Sequence, residues 1–154
     1  MESNQDPSDG MLKLVVLVNK HIPPGIAMNA LAHTVAGAVN LVGEEGRRAF
    51  KFLTFTDRDN QAYPSISARS FIVLRGTDGD IRKVRRHAME ASIPAVCFTN
   101  AMTGETYVEQ IERSRATPTA ELTYFAVAVV GKADAVSSFT KRYSLWRNSD
   151  VLDP

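Results

Sequence analysis

Cysteine is nearly absent from this chain, and Cys97 alone cannot form an internal disulfide. With no signal-like start after Met1, the expected compartment is a reducing cytosol. No apolar run approaches the roughly 20 residues that span a bilayer, so no membrane partner is expected. An excess of either charge is also missing: 18 Lys and Arg face 17 Asp and Glu, a net charge of +1. That balance excludes a global electrostatic footprint for nucleic acid and leaves only local patches. The three histidines, His21, His33 and His87, are not at ligand spacing, so no metal or other cofactor is expected. Ser65, Ser67, Ser70 and Ser92 lack a nucleophile elbow, which argues against a serine hydrolase. Internal repeats and low-complexity tracts are absent.

What is present fits one domain. A chain of 154 residues with a 44% hydrophobic share can bury a single core without staples. Residues 1–10 and 148–154 are polar or rich in structure breakers and read as tails, leaving 11–147 for the fold. The run Leu14 to Val18 does not alternate, as expected of a strand covered on both faces. A loop, Asn19 to Gly25, leads into an apolar helix expected from Pro24 or Gly25 to about Val42 and stopped by Gly43 or Gly46. Met28, Leu31, Val35, Val39 and Val42 are its expected core stripe, and Asn29, His33 and Asn40 share a small, neutral, polar face.

Further strands are expected at about 50–55, 70–74, 94–99 and 122–130. Helices are expected over 81–91, where Asp78 or Asp80 would cap, and over 133–146, facing inward through Val136, Phe139, Tyr143 and Trp146. The stretch Thr56 to Ser67, with Asp57, Asp59, Asn60 and Pro64, reads as a loop, and 101–117 as a loop with a helical turn or more around 107–112. Strand and helix alternate, which gives a three-layer α/β/α sandwich. Its sheet is mixed and mostly parallel, with four or five strands and the last main strand able to run against the others.

Open α/β sheets bind ligands at the carboxyl ends of their strands. That edge gathers Asn19, Lys20 and Gly25 from the first loop with Asn100 and Thr103 after the fourth strand. His33 stands on the first helix within a turn or two of that loop, oriented by Asn29, and serves either as general base or hydrogen-bond donor or as a solvated helix-face residue. Asn100 is either a pocket group or a turn former. Lys20 and His21 could meet a phosphate at the helix N-terminus, or simply be solvated. Arg82, Lys83, Arg85, Arg86 and His87 could contact a nucleic-acid backbone, or form a charged outer face with no aromatic platform. Cys97 reads as buried packing.

Three segments, KLVVLVNKHIPPGIAMNALAHTVAGA, SFIVLRG with IPAVCFTNAMTG, and LTYFAVAVVGKADAV, resemble in order and spacing the type 2 peptidyl-tRNA hydrolases. The likeness covers roughly residues 11–146 except Phe50 to Ser67, which looks like an addition. It implies that fold, a hydrolase acting on aminoacyl or peptidyl esters, tRNA as a partner, and roles for His33, Ala101 and Thr123. The family's lysine falls on Ile26, its glutamine on Ala30 and its aspartate on Asn100. An asparagine cannot take a proton as a carboxylate does. The chain is more similar to an uncharacterised bacterial branch of this fold, known only as domain of unknown function 2000. The leading expectation is a neutral pocket for a small ligand or nucleotide, built from His33, Asn100, Asn19, Lys20, Gly25, Asn29, Thr103 and Thr123. The competing one is a hydrolase in which His33 replaces the lost pair. A third is a homodimer through Asn29, Ala36, Gly37 and Asn40.

Overall fold

The computed structural model describes residues 12–69 and 71–147. The expected tails, the strand start at Met11 and Ser70 lie outside the described residues. The apolar run forms β1, Leu12–Asn19, whose residues from Leu14 onward are all buried. Helix α1, Pro24–Arg47, follows. Strands β2, Phe52–Thr56, and β3, Ala62–Ser67, form a separate antiparallel hairpin. Then come β4, Phe71–Gly76, α2, Asp78–Glu90, β5, Ala95–Thr99, α3, Tyr107–Ala116, β6, Tyr124–Lys132, and α4, Ala133–Thr140.

The main sheet has four strands in the order β4-β1-β6-β5. β1 and β4 pair in parallel, whereas β6 runs antiparallel to both β1 and β5, so the last main strand does run against the others. α1 covers one face, over Leu14, Val16, Val18, Phe98 and Ala126; α2 and α4 cover the other, over Val15, Leu17, Val127 and Val129. Alternate residues of β1 thus enter different cores, which is why its sequence shows no alternation.

Five expectations need correction. The inner line of α1 is Ala27, Ala30, Thr34 and Ala38, while Met28 is 65% exposed and Leu31, Val35, Val39 and Val42 are half-buried flanks. Small residues win that line because they bring the helix close to the sheet: a Cβ on Gly37 would stand 2.8 Å from Val96 Cγ1. The helix also breaks at Gly43 (φ 64°) rather than ending there, and resumes to Arg47. The strand at 50–55 does not join the main sheet; it pairs with β3, which occupies the expected loop of 56–67. The helix after β6 stops at Thr140. The following chain instead satisfies the open edge of β4: Arg75 N donates to Ser144 O and Trp146 N to Val73 O, each at 2.9 Å. Finally, the N-cap of α2 is Thr77, whose hydroxyl accepts from Asp80 N while the Asp80 carboxylate accepts from Thr77 N, a capping box. α3 has the same device in Thr106 and Glu109, and its 10 residues realise the helical turn or more expected around 107–112.

Length and composition alone would let α1 cross a membrane. Its small-residue face is packed into the core along the sheet, the position of a core helix.

Candidate functional site

A cleft of about 510 Å³ lies between the exposed side of α1 and the turn that follows β5. α1 contributes Gly25, Ile26, Asn29 and His33, spaced so that they share one side of the helix. The opposite wall is Met102, Thr103 and Gly104 with Gln110 from α3, and Phe125 of β6 lies at the base. The His33 ring stacks on Phe98, centroids 5.3 Å apart and planes 18° apart, and Phe98 in turn meets Phe125 at 6.4 Å. His33 is exposed, so its second ring face and its ring nitrogens remain accessible from the cleft. No lining residue is an acid, a lysine or an arginine.

The outer wall is held in an uncommon backbone shape. Gly104 and Glu105 are consecutive left-handed residues, with φ 66° and 54°. α3 clamps them: Gln110 Nε2 donates to Gly104 O at 2.6 Å, Arg113 donates to Thr103 O at 2.8 Å, and the Arg113 guanidinium pairs with the Glu105 carboxylate. One of the two Gln110 amide hydrogens is engaged there, which leaves the other as a donor and the carbonyl oxygen as an acceptor. Thr103 Oγ1 donates to Asn100 O at 2.7 Å, which leaves its lone pairs as acceptors.

Of the residues expected from sequence, His33, Gly25, Asn29 and Thr103 meet in this cleft. The others do other work. Asn19 is 3% exposed; its amide donates to Tyr124 O and its carbonyl accepts from His21 N, both at 2.9 Å, so it joins the β1 end to β6. Asn100 and Thr123 are tied to each other, Asn100 N to Thr123 O and Thr123 N to Asn100 Oδ1, each 2.9 Å, which closes the β5–β6 ladder outside the lining. Lys20 is exposed in the first turn, with its backbone amide on Gly76 O, and does not line the cleft.

Ile26, Phe98, Met102, Gln110 and Phe125 were not expected there. For Phe98 the strand period is a usable signal, since Cys97 before it faces the other core; Phe125 breaks the period at the β5–β6 irregularity, where Ala126 also faces α1. Gln110 lies on a helix whose extent the sequence left open.

The basic set on α2 is not one plate. Arg82 is half-buried, bonded to Asp78 Oδ2 at 3.0 Å and Thr119 O at 2.9 Å, with its guanidinium 4.7 Å from the Tyr124 ring centroid. His87 stacks on Phe139 with centroids 5.8 Å apart. Gly37 faces Val96, so it is unavailable to the proposed helix interface. Cys97 faces the α2 side of the core, and burial pushes its thiol up to about 11. No cluster of three or more His, Cys, Asp or Glu able to hold a metal ion occurs among the described residues.

Residues 12–147 match the profile of a family described as protein of unknown function (DUF2000). The chain belongs to the DUF2000 family. Its match runs through β2 and β3, so that hairpin, an apparent addition beside the hydrolases, lies within the DUF2000 range. Among solved structures the chain is similar to the protein of unknown function Atu0240 from Agrobacterium tumefaciens strain C58, with 18% identity and a TM-score of 0.73 over 88% of this chain and 98% of that one. At that identity the likeness speaks for a shared fold alone. No curated protein matches the sequence.

Proposed function

We propose that the protein binds a small, uncharged polar ligand of nucleobase or nucleoside type in the α1–α3 cleft. One observation carries this reading: a single cleft joins an accessible imidazole face with the amide groups of Asn29 and Gln110 and the hydroxyl of Thr103, with no charged side chain lining it. A flat ring gains from stacking on His33, its polar edge gains from the amides, and Ile26, Met102 and Phe125 exclude water around it. A phosphate finds no lysine or arginine there, so the nucleoside is favoured over the nucleotide.

We further read the domain as related to the type 2 peptidyl-tRNA hydrolases. The order of the segments and the placing of His33 opposite the turn after β5 support that kinship. Its chemistry is a weaker fit. Ile26 occupies the lysine position in the lining, Ala30 is buried in the core, and the Asn100 side-chain oxygen is committed to Thr123 N. A base without a partner acid or an anion-binding cation favours binding over hydrolysis.

Titrating the full chain with adenosine, uridine and their 5′-monophosphates while recording amide chemical shifts tests the reading. The nucleosides are expected to perturb Asn29, His33, Thr103 and Gln110, and the monophosphates to bind no more tightly. Turnover of an acylated aminoacyl-tRNA mimic that disappears in His33→Ala would instead establish the hydrolase.

A further inference from the structure

The β2–β3 hairpin carries a second surface, independent of the cleft. Residues opposed in an antiparallel ladder place their side chains on the same side of the ribbon. Leu53 opposes Ile66 and Phe55 opposes Tyr63, and these make one face. Thr54, bonded to Ser65 at 2.8 Å, lies on the other with Thr56, Ser67 and, at the root, Phe52, whose ring stacks on Phe50 with centroids 6.0 Å apart. The ribbon is therefore amphipathic, yet its apolar face is open: Leu53, Phe55, Tyr63 and Ile66 are 43%, 49%, 53% and 59% exposed. Neither strand contains a charged residue, so no charge interrupts that face. A two-stranded ribbon exposed on both sides is marginal on its own.

We propose that this face is a homodimer interface, on which the Leu53, Phe55, Tyr63 and Ile66 face of one protomer packs antiparallel against the same face of a second copy. Two ribbons stacked face to face make a small β-sandwich that leaves both polar faces in water. A neutral apolar face is complementary to itself, and the charges at its two ends choose the direction. The tip holds Asp57, Arg58 and Asp59, net negative, with Asp57 kept ionised by bonds from the Tyr63 hydroxyl and the Gln61 amide. Around the root stand Arg47, Arg48 and Lys51. A two-fold axis lying between the two faces and across the strands sets each acidic tip over the partner's basic root, whereas an axis along the strands would set tip on tip. The same charged tip opposes insertion into a lipid bilayer. Four half-exposed apolar side chains supply on the order of 400 Å² per protomer, about half of a standard interface, and the tip-to-root contacts supply more. The expected dimer is reversible.

Sedimentation velocity of the full chain over a dilution series tests it. Wild type is expected to pass from monomer to twice the monomer mass as concentration rises, with weaker association at high salt. Leu53→Lys and Ile66→Glu, both at exposed positions, are expected to sediment as monomers at every concentration with unchanged circular dichroism, whereas Thr54→Lys on the polar face still dimerises. Asp59→Lys is expected to weaken association, and adding Arg48→Asp to restore it. Wild type that stays monomeric throughout, including wild type that floats with phospholipid vesicles, overturns the proposal. So does dimerisation of both apolar-face variants.

Discussion

His33 rests one ring face on Phe98 and turns the other toward the cleft, so its substitution separates stacking from hydrogen bonding. His33→Ala is expected to abolish ligand-induced shifts while costing about 1 kcal/mol or less in denaturant unfolding, the worth of an exposed stack. His33→Phe keeps the stack and should retain stability but not the polar contact. Asn19 behaves in the opposite way. Both ends of its buried amide are engaged, and Asn19→Ala should cost about 1–3 kcal/mol with no direct effect on the cleft. Cys97, with its thiol pushed up to about 11, stays protonated at neutral pH, so alkylation of the folded protein should be slow and rise only in strong alkali or denaturant. Fast labelling at neutral pH would show that β5 is open there. Residue type and position could nominate His33, a histidine on the first helix within a turn or two of a strand-end loop. It could not separate Asn29, which lines the cleft, from Asn19 and Asn100, which close backbone ladders: all three are small amides near turns, and only their partners differ.

The elements differ in how far pattern decides them. β1 was legible because both of its faces are buried, and α2 because Ile81, Val84 and Ala88 recur at helical spacing. The inner line of α1 was not legible, because alanine and glycine, which carry little hydrophobic signal, sit where the helix lies closest to the sheet. Gly37→Ala is the sharp test: a methyl 2.8 Å from Val96 Cγ1 must push the helix or the strand, at a cost of about 1–3 kcal/mol, despite alanine's better helix propensity. β3 escaped notice because Pro64 and the preceding turn formers hide Tyr63 and Ile66, and because its partner is β2 rather than the main sheet.

The capping boxes set an acid limit. Asp80 and Glu109 are held below the ordinary carboxylate range, chiefly by bonds from the backbone amides of Thr77 and Thr106. A carboxyl whose pKa is lowered on folding stabilises the fold above its unfolded value, and that contribution is lost as pH falls through the folded value. Stability should therefore decline below about pH 4, and Asp80→Asn, which removes a titrating carboxyl and keeps the side chain's shape, should show a shallower decline. An equal slope in both proteins would place the acid sensitivity elsewhere.

At the scale of the whole molecule, two surfaces stand apart: a cleft beside the N-terminal half of α1, and an apolar ribbon rooted beyond its C-terminus. The mixed sheet, with a last main strand able to run against the others, was accessible from the sequence, whereas the strand order β4-β1-β6-β5 was not. The return of Ser144 to Trp146 along β4 was not, because it answers an open sheet edge that exists only once the sheet has formed. The central claim is that the cleft, and not the charged hollow formed by His87, Glu90, Lys141 and Arg142, receives the ligand. The most direct measurement is a crystal structure of the full chain soaked with adenosine or uridine. A base stacked on His33, with its polar edge toward Asn29 and Gln110, is the predicted result; an empty cleft with the nucleoside seated beside His87 and Arg142 would contradict it.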